Sequence, residues 1–222
     1  MKYLYTFAGV CALTLSAASF AAPVVVTSYD TPNGDGTASG GSYNYWDVNY
    51  TGAGATSTDG AALSGGLGDL TDGVVAADFW YNVENNAGNG PYVGWYQPAT
   101  LNPTVIFNFA GSPTITDIGI HIDNSHAGGV FAPADIWIDG ISTAFVAPPI
   151  GTIGWINFTG LNLSGGSHSI QFFQAGGWVF VSEVTFDGRA GNPVPEPAAW
   201  ALFVVGFGAV GASLRRRQAV LV

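Results

Sequence analysis

Thr104-Val105-Ile106-Phe107-Asn108-Phe109, a Gly111-Ser112-Pro113 break, and then Ile115-Thr116-Asp117-Ile118-Gly119-Ile120-His121-Ile122-Asp123 decide how this chain folds. In the first run Val105, Phe107 and Phe109 alternate with other residues; in the second, Ile118, Ile120 and Ile122 do the same. Successive side chains of a strand point to opposite faces, so a period of two places these residues on one buried face. The same period recurs outward along the chain, at Ile136 and Ile138, at Ile170 and Phe172, and at Phe180, Val184 and Phe186. Asn33-Gly34, Asp139-Gly140, Pro148-Pro149, Ser164-Gly165-Gly166 and Asp187-Gly188 stand between the runs as turn signals. Short strands so punctuated predict an all-β fold, a single antiparallel β-sandwich of jelly-roll type. No stretch between the two ends keeps a helical period for more than a turn or two. Residues 30–73 are glycine-rich, and long loops with few strands are expected there.

Both ends have the composition of addresses. Lys2, the apolar run Leu4 to Leu15 and the small residues around Ala21 form a secretory signal peptide over residues 1–21, cut after Ala21. Cys11 lies inside that run and leaves with it. At the other end, residues 191–222 hold Pro195-Glu196-Pro197, an apolar stretch from Ala198 to Leu214, and Arg215-Arg216-Arg217. The stretch is at the short end of what crosses a bilayer, and arginines directly after it favour a cytoplasmic C-terminus. A plain tail anchor explains the apolar run and the arginines but not the two prolines that forbid helix at its outer boundary. The order of these parts resembles the PEP-CTERM sorting signal. That resemblance implies an exosortase-type partner, transient anchoring in the inner membrane by a helix over 198–214, and then the cell surface or extracellular space.

Residues 22–190 remain as one domain. Arg189 is then its only Lys or Arg, against nearly all of the 15 Asp and Glu. Such a surface repels nucleic acid and acidic polysaccharide and attracts divalent cations. With Cys11 gone, no disulfide can staple the exported domain, and a bound Ca²⁺ is a natural substitute.

Leu70-Thr71-Asp72-Gly73, Phe79-Trp80, Tyr92-Val93-Gly94-Trp95, the strands over 104–109 and 115–123, Gly128 to Pro133, Asp135 to Gly140, and Trp178 to Phe186 follow one another in order. This succession resembles the galactose-binding-like sandwiches of discoidin-type and carbohydrate-binding modules, over roughly residues 60–188. The resemblance implies a structural Ca²⁺ at the sandwich edge, held by Asp72 in the Asp-Gly loop, nearby carbonyls, and Glu183 on the final strand. Chemistry agrees, because Ca²⁺ takes six to eight oxygens, many of them carbonyl, and a carboxylate in an apolar strand needs neutralising. The alternative is that Glu183 faces solvent and Asp72 only closes a turn. Asp69 and Asp78 read as solubilising charge, and Asn33-Gly34-Asp35-Gly36 as plain turns.

Trp46, Tyr92 and Tyr96 lie in loop-like segments where an aromatic face can stack on a sugar ring, although packing explains them as well. For most of Trp80, Trp95, Trp137, Trp155 and Trp178, core packing is the simpler reading. His126, in Asn124-Ser125-His126-Ala127-Gly128, is placed to face a ligand, whereas His121 reads as the outward residue of a strand. No histidines stand at metal-ligand spacing, and no cysteine nucleophile or Gly-x-Ser-x-Gly elbow occurs in the domain. The expectation is a non-enzymatic protein of the cell surface or biofilm matrix, its sandwich stabilised by Ca²⁺. A module that binds exopolysaccharide is the first alternative and a surface glycoside hydrolase the second.

Overall fold

The computed structural model describes residues 21–36 and 42–191. The signal peptide and the sorting signal, including Pro195, Glu196, Pro197 and Arg215 to Arg217, lie outside them. The described chain runs β1 (Ala22–Pro23), β2 (Val26–Pro32), β3 (Ala62–Gly66), the single-turn helix α1 (Trp80–Val83), β4 (Val93–Tyr96), β5 (Thr104–Phe109) and β6 (Thr114–Asn124). After a 3₁₀ turn at Ala127–Gly129 come β7 (Asp135–Ile138), β8 (Ile141–Ser142), β9 (Thr152–Phe158), β10 (Leu163–Ser164), β11 (Ser167–Phe173) and β12 (Trp178–Arg189). Among the described residues of 30–73, only the end of β2 and β3 are strands, with long loops around them, as expected.

All pairings of these strands are antiparallel. One sheet has β12 and β6 at its centre, with β1 and β4 beside β12 and with β9 and β10 beside β6; the other runs β3-β2-β5-β11-β7-β8. The alternating apolar residues of both sheets meet between them. Phe107 of β5 packs on Phe186 of β12 with ring centroids 4.9 Å apart, and Trp95 of β4 stacks on Phe172 of β11 at 5.8 Å. Ile118, Ile120 and Ile122 are all buried in this core, as the period of two requires.

One irregularity in β12 decides which of its residues face outward. Val179 and Val181 point into the core, and so do Val184 and Phe186. An unbroken period of two would send Val184 outward, but the register against β6 shifts between Val181 and Glu183. This bulge at Ser182 resets the alternation, keeping the apolar residues inside and turning Glu183 and Thr185 to the outer face. Trp178 and Phe180 also face outward, where Tyr45, Trp80, Tyr92 and Val130 cover them in a second apolar cluster. Only part of the outer face is therefore roofed.

Candidate functional site

The chain between β3 and α1 lies across that outer face and is pinned to it along its length. Leu70 O accepts the Val184 N–H (2.8 Å), Ser182 Oγ accepts the Ala76 N–H (3.2 Å), and Asp123 Oδ2 accepts the Trp80 N–H (2.9 Å). Glu183 Oε2 accepts the N–H of Gly73 at 2.9 Å, so the early Asp-Gly loop and the final strand meet. Asp72 is exposed at the loop tip, its Oδ1 taking the Val74 N–H at 2.8 Å, while Glu183 is buried.

Beneath the tip lies a carboxylate layer. Asp47 anchors it: its Oδ1 accepts the Asp69 N–H (3.1 Å) and its Oδ2 accepts the Tyr29 hydroxyl. Asp69 Oδ1 accepts from Asn49 Nδ2 (2.9 Å), but its Oδ2 is buried with no partner. Asp69 is 2% exposed, which corrects its reading as a solubilising charge. Burial, helped by the charges of Asp47 and Asp72, pushes its carboxyl up to about 7. Burial likewise pushes Glu183 up to about 7, with Asp72 adding to it. Asn49, Asp69, Asp72 and the chain at Val74 line an open pocket of about 390 Å³. Arg189 is the only Lys or Arg among the described residues, so no basic side chain is available to neutralise this layer. Among the described residues, no three His, Cys, Asp or Glu side chains gather closely enough to hold a metal by themselves. Glu84, just after α1, is a further buried acid with no signal in the sequence. Its Oε1 accepts the Tyr92 N–H (2.9 Å), its Oε2 has no partner, and burial pushes it up to about 8.

A second group forms where β4 and β12 pair. Tyr96, 39% exposed, lies opposite Trp178 with ring centroids 4.8 Å apart. The Phe131 N–H donates to Trp178 O (3.0 Å), and the Phe131 ring takes the His126 ring edge-on at 4.7 Å. The fold thus brings Tyr96 and His126 to one end through Trp178 and Phe131, which the sequence did not single out as ligand-facing. The first residue of a strand after Gly176-Gly177 is the only hint that Trp178 sits at a rim. Asp35 holds this end, its Oδ2 accepting the Tyr96 N–H (2.6 Å) and its Oδ1 the Thr100 hydroxyl (2.8 Å). Asn33 and Asp35 are both buried, so Asn33 to Gly36 is an organising segment rather than a plain turn.

One of the expected platforms, Tyr92, does not survive folding. Tyr92 is fully buried, its hydroxyl donating to Asp78 O at 3.1 Å, and offers no face to a sugar. Trp46 donates its indole N–H to Asp59 (2.7 Å) and lies tight against Gly36. Among the histidines, His121 does point to the outer face but is covered there, with Nδ1 2.8 Å from Ser182 Oγ. Both partners are buried, and Ser182 already accepts the Ala76 N–H, so this contact is not an exposed nucleophile and base. His168 pairs with Asp139 at 2.7 Å.

The family model described as the discoidin domain-containing receptor 1/2, DS-like domain, matches residues 25–150. The chain belongs to that discoidin DS-like family. The PEP-CTERM protein-sorting motif matches residues 193–217, marking an exported protein with a C-terminal membrane-anchoring region. The epithelial discoidin domain-containing receptor 1 of Mus musculus is 29% identical, over 64% of this chain and 18% of the receptor. The DS-like chain therefore spans less than a fifth of that relative. A family 32 carbohydrate-binding module from C. perfringens NanJ, solved with galactose, is 14% identical over 45% of this chain and 79% of its own (TM-score 0.30). A fucolectin from striped bass, Morone saxatilis, is 13% identical over 77% and 80% (TM-score 0.36).

Proposed function

We propose that the exported domain is a non-catalytic module of the cell surface or extracellular matrix, stabilised by Ca²⁺ bound between the Asp72 loop and Glu183. The observation that carries this reading is the buried, unpartnered Asp69 Oδ2 in the loop that Glu183 holds, within a layer of acids that has no basic side chain near it. The donors suit a hard cation: carboxylates of Asp72 and Glu183, the Asn49 amide, loop carbonyls and water, with no imidazole or thiol. Two carboxylates with carbonyl and amide oxygens are ordinary for Ca²⁺, so three converging acids are not required. Bound there, the cation would supply charge compensation and tie the loop to β12.

The test is thermal melting of the protein released from producing cells, in EDTA and in excess Ca²⁺. A midpoint several degrees higher in Ca²⁺, lost in Glu183→Gln and Asp72→Ala, is the expected result. An unmoved midpoint in the parent protein sinks the reading. Exposed Tyr96, backed by the buried Trp178 ring, supports a second role, binding exopolysaccharide at that end, which Tyr96→Ala would weaken on a glycan array. An exosortase-type enzyme is the expected processing partner of the sorting motif.

A further inference from the structure

β9 is an edge of its sheet, paired with β6 alone among the described strands. Its Ile156 and Phe158 enter the core, so Trp155 and Asn157 must point outward, beyond the reach of the loop that roofs the rest of the face. Trp155 is 36% exposed and, like the half-buried Trp137 of β7, lies outside the core. The segment 143–150 stands beside it, and Ala144 to Pro148, Trp155 and Asn157 enclose an open groove of about 490 Å³. Val146 and Ile150 on this segment are 85% and 70% exposed.

Three features suit this groove to a ligand. The Trp155 ring is held before any ligand arrives. A Cβ on Gly119 would fall 3.2 Å from it, so glycine there gives the indole room to lie down on β6. On its other flank His121 packs edge-on at 5.1 Å, itself fixed by Ser182. Second, no Asp, Glu, Lys or Arg occurs between Asp139 and Glu183, so the groove walls are neutral in a strongly acidic protein. Third, the face beyond the ring is polar: exposed Asn157 lies opposite Gly119, Thr185 lies on its other side, and Asp117 pairs with Asp187. A second copy of the chain would call for a continuous apolar face, whereas an apolar floor edged by amide and hydroxyl groups matches a sugar ring.

We propose that this groove binds a neutral glycan chain, with Trp155 as the stacking floor and Asn157 as a hydrogen-bonding group. Axial C–H groups of a pyranose lie on the electron-rich indole face while its hydroxyls reach Asn157 and Thr185. The acidic surface around the neutral groove repels uronate polymers, which selects for neutral chains. The site is separate from the Tyr96–Trp178 end and from the proposed Ca²⁺ loop.

The test is affinity gel electrophoresis of the released protein through dextran, laminarin, xylan, galactomannan, alginate and polygalacturonate, with Ca²⁺ present throughout. Retardation by at least one neutral polymer is expected, at least about ten-fold weaker in both Trp155→Ala and Asn157→Ala. Asn157 is a surface residue, so its variant keeps the test readable if Trp155→Ala melts early. Ile106→Ala, at an exposed apolar residue of the other sheet, should retain the retardation. Retardation only by the uronate polymers, by none, or lost in Tyr96→Ala but not in Trp155→Ala overturns the proposal. So does a dimer in sedimentation that Trp155→Ala dissociates, since the groove would then be a contact between copies.

Discussion

Replacing Glu84 by Gln should remove a large part of the pH dependence of this protein's stability. Glu84 is 7% exposed, and its carboxyl lies so close against Gly90 that a Cβ there would fall 2.2 Å from it. Burial raises it from 4.5 to about 8. Between those values the folded protein holds a proton that the unfolded chain has released. Stability therefore falls as pH rises from about 4.5 to about 8 and is level beyond. At about 1.4 kcal/mol per pH unit, the carboxyl accounts for a loss of roughly 5 kcal/mol across that window. For a domain of this size that is on the order of 10–20 °C in melting temperature. Gln keeps the oxygen that accepts the Tyr92 N–H and has no charge to release. Melting curves by circular dichroism at pH 4.5 to 9, for the parent and Glu84→Gln under identical Ca²⁺, make the comparison. Other titrating groups cancel in the difference. The two should melt together near pH 4.5, with the variant higher by a growing margin towards pH 8. Parallel curves over the whole range would falsify the placement of a protonated Glu84 in the core.

Phe107→Ala, at a ring packed between Phe186 and Tyr29, should lower stability by about 3–5 kcal/mol, read by urea unfolding. Gly119→Ala should weaken neutral-glycan retardation while leaving the Ca²⁺ shift in melting intact, because its Cβ would press on Trp155 and Thr185. Asp69→Asn should raise the melting temperature in EDTA at pH 8, since it removes a carboxylate that burial disfavours ionising, and should narrow the gap between EDTA and Ca²⁺. Substituting Pro195, Glu196 and Pro197 together should leave the protein in the membrane fraction of producing cells, read by fractionation and immunoblot.

The sequence determined whatever depends on neighbours along the chain. A period of two at Val105, Phe107 and Phe109, and again at Ile118, Ile120 and Ile122, is sufficient to make strands with one buried face, and the intervening Gly and Pro make the turns. Pro195-Glu196-Pro197, the apolar run and the arginines were legible as a sorting motif from their order along the chain. The meeting of the Asp72 loop with Glu183 was legible only through the family resemblance. What only tertiary structure decided is which face each polar or aromatic residue occupies once elements distant in sequence pack. The bulge at Ser182 turned Glu183 outward, a shift of parity that composition does not announce. Glu84 and Asp69 became buried because Gly90 and the Asp47 anchor close over them, although both look like solvent-facing acids in the chain. Tyr92 and Trp155 exchanged the roles that their neighbours suggested. Tyr92 lies buried within the second cluster, and Trp155 lies on an edge strand that the covering loop does not reach. Local pattern fixes alternation within a strand, but exposure depends on what the other sheet, and the loops over the outer face, leave uncovered.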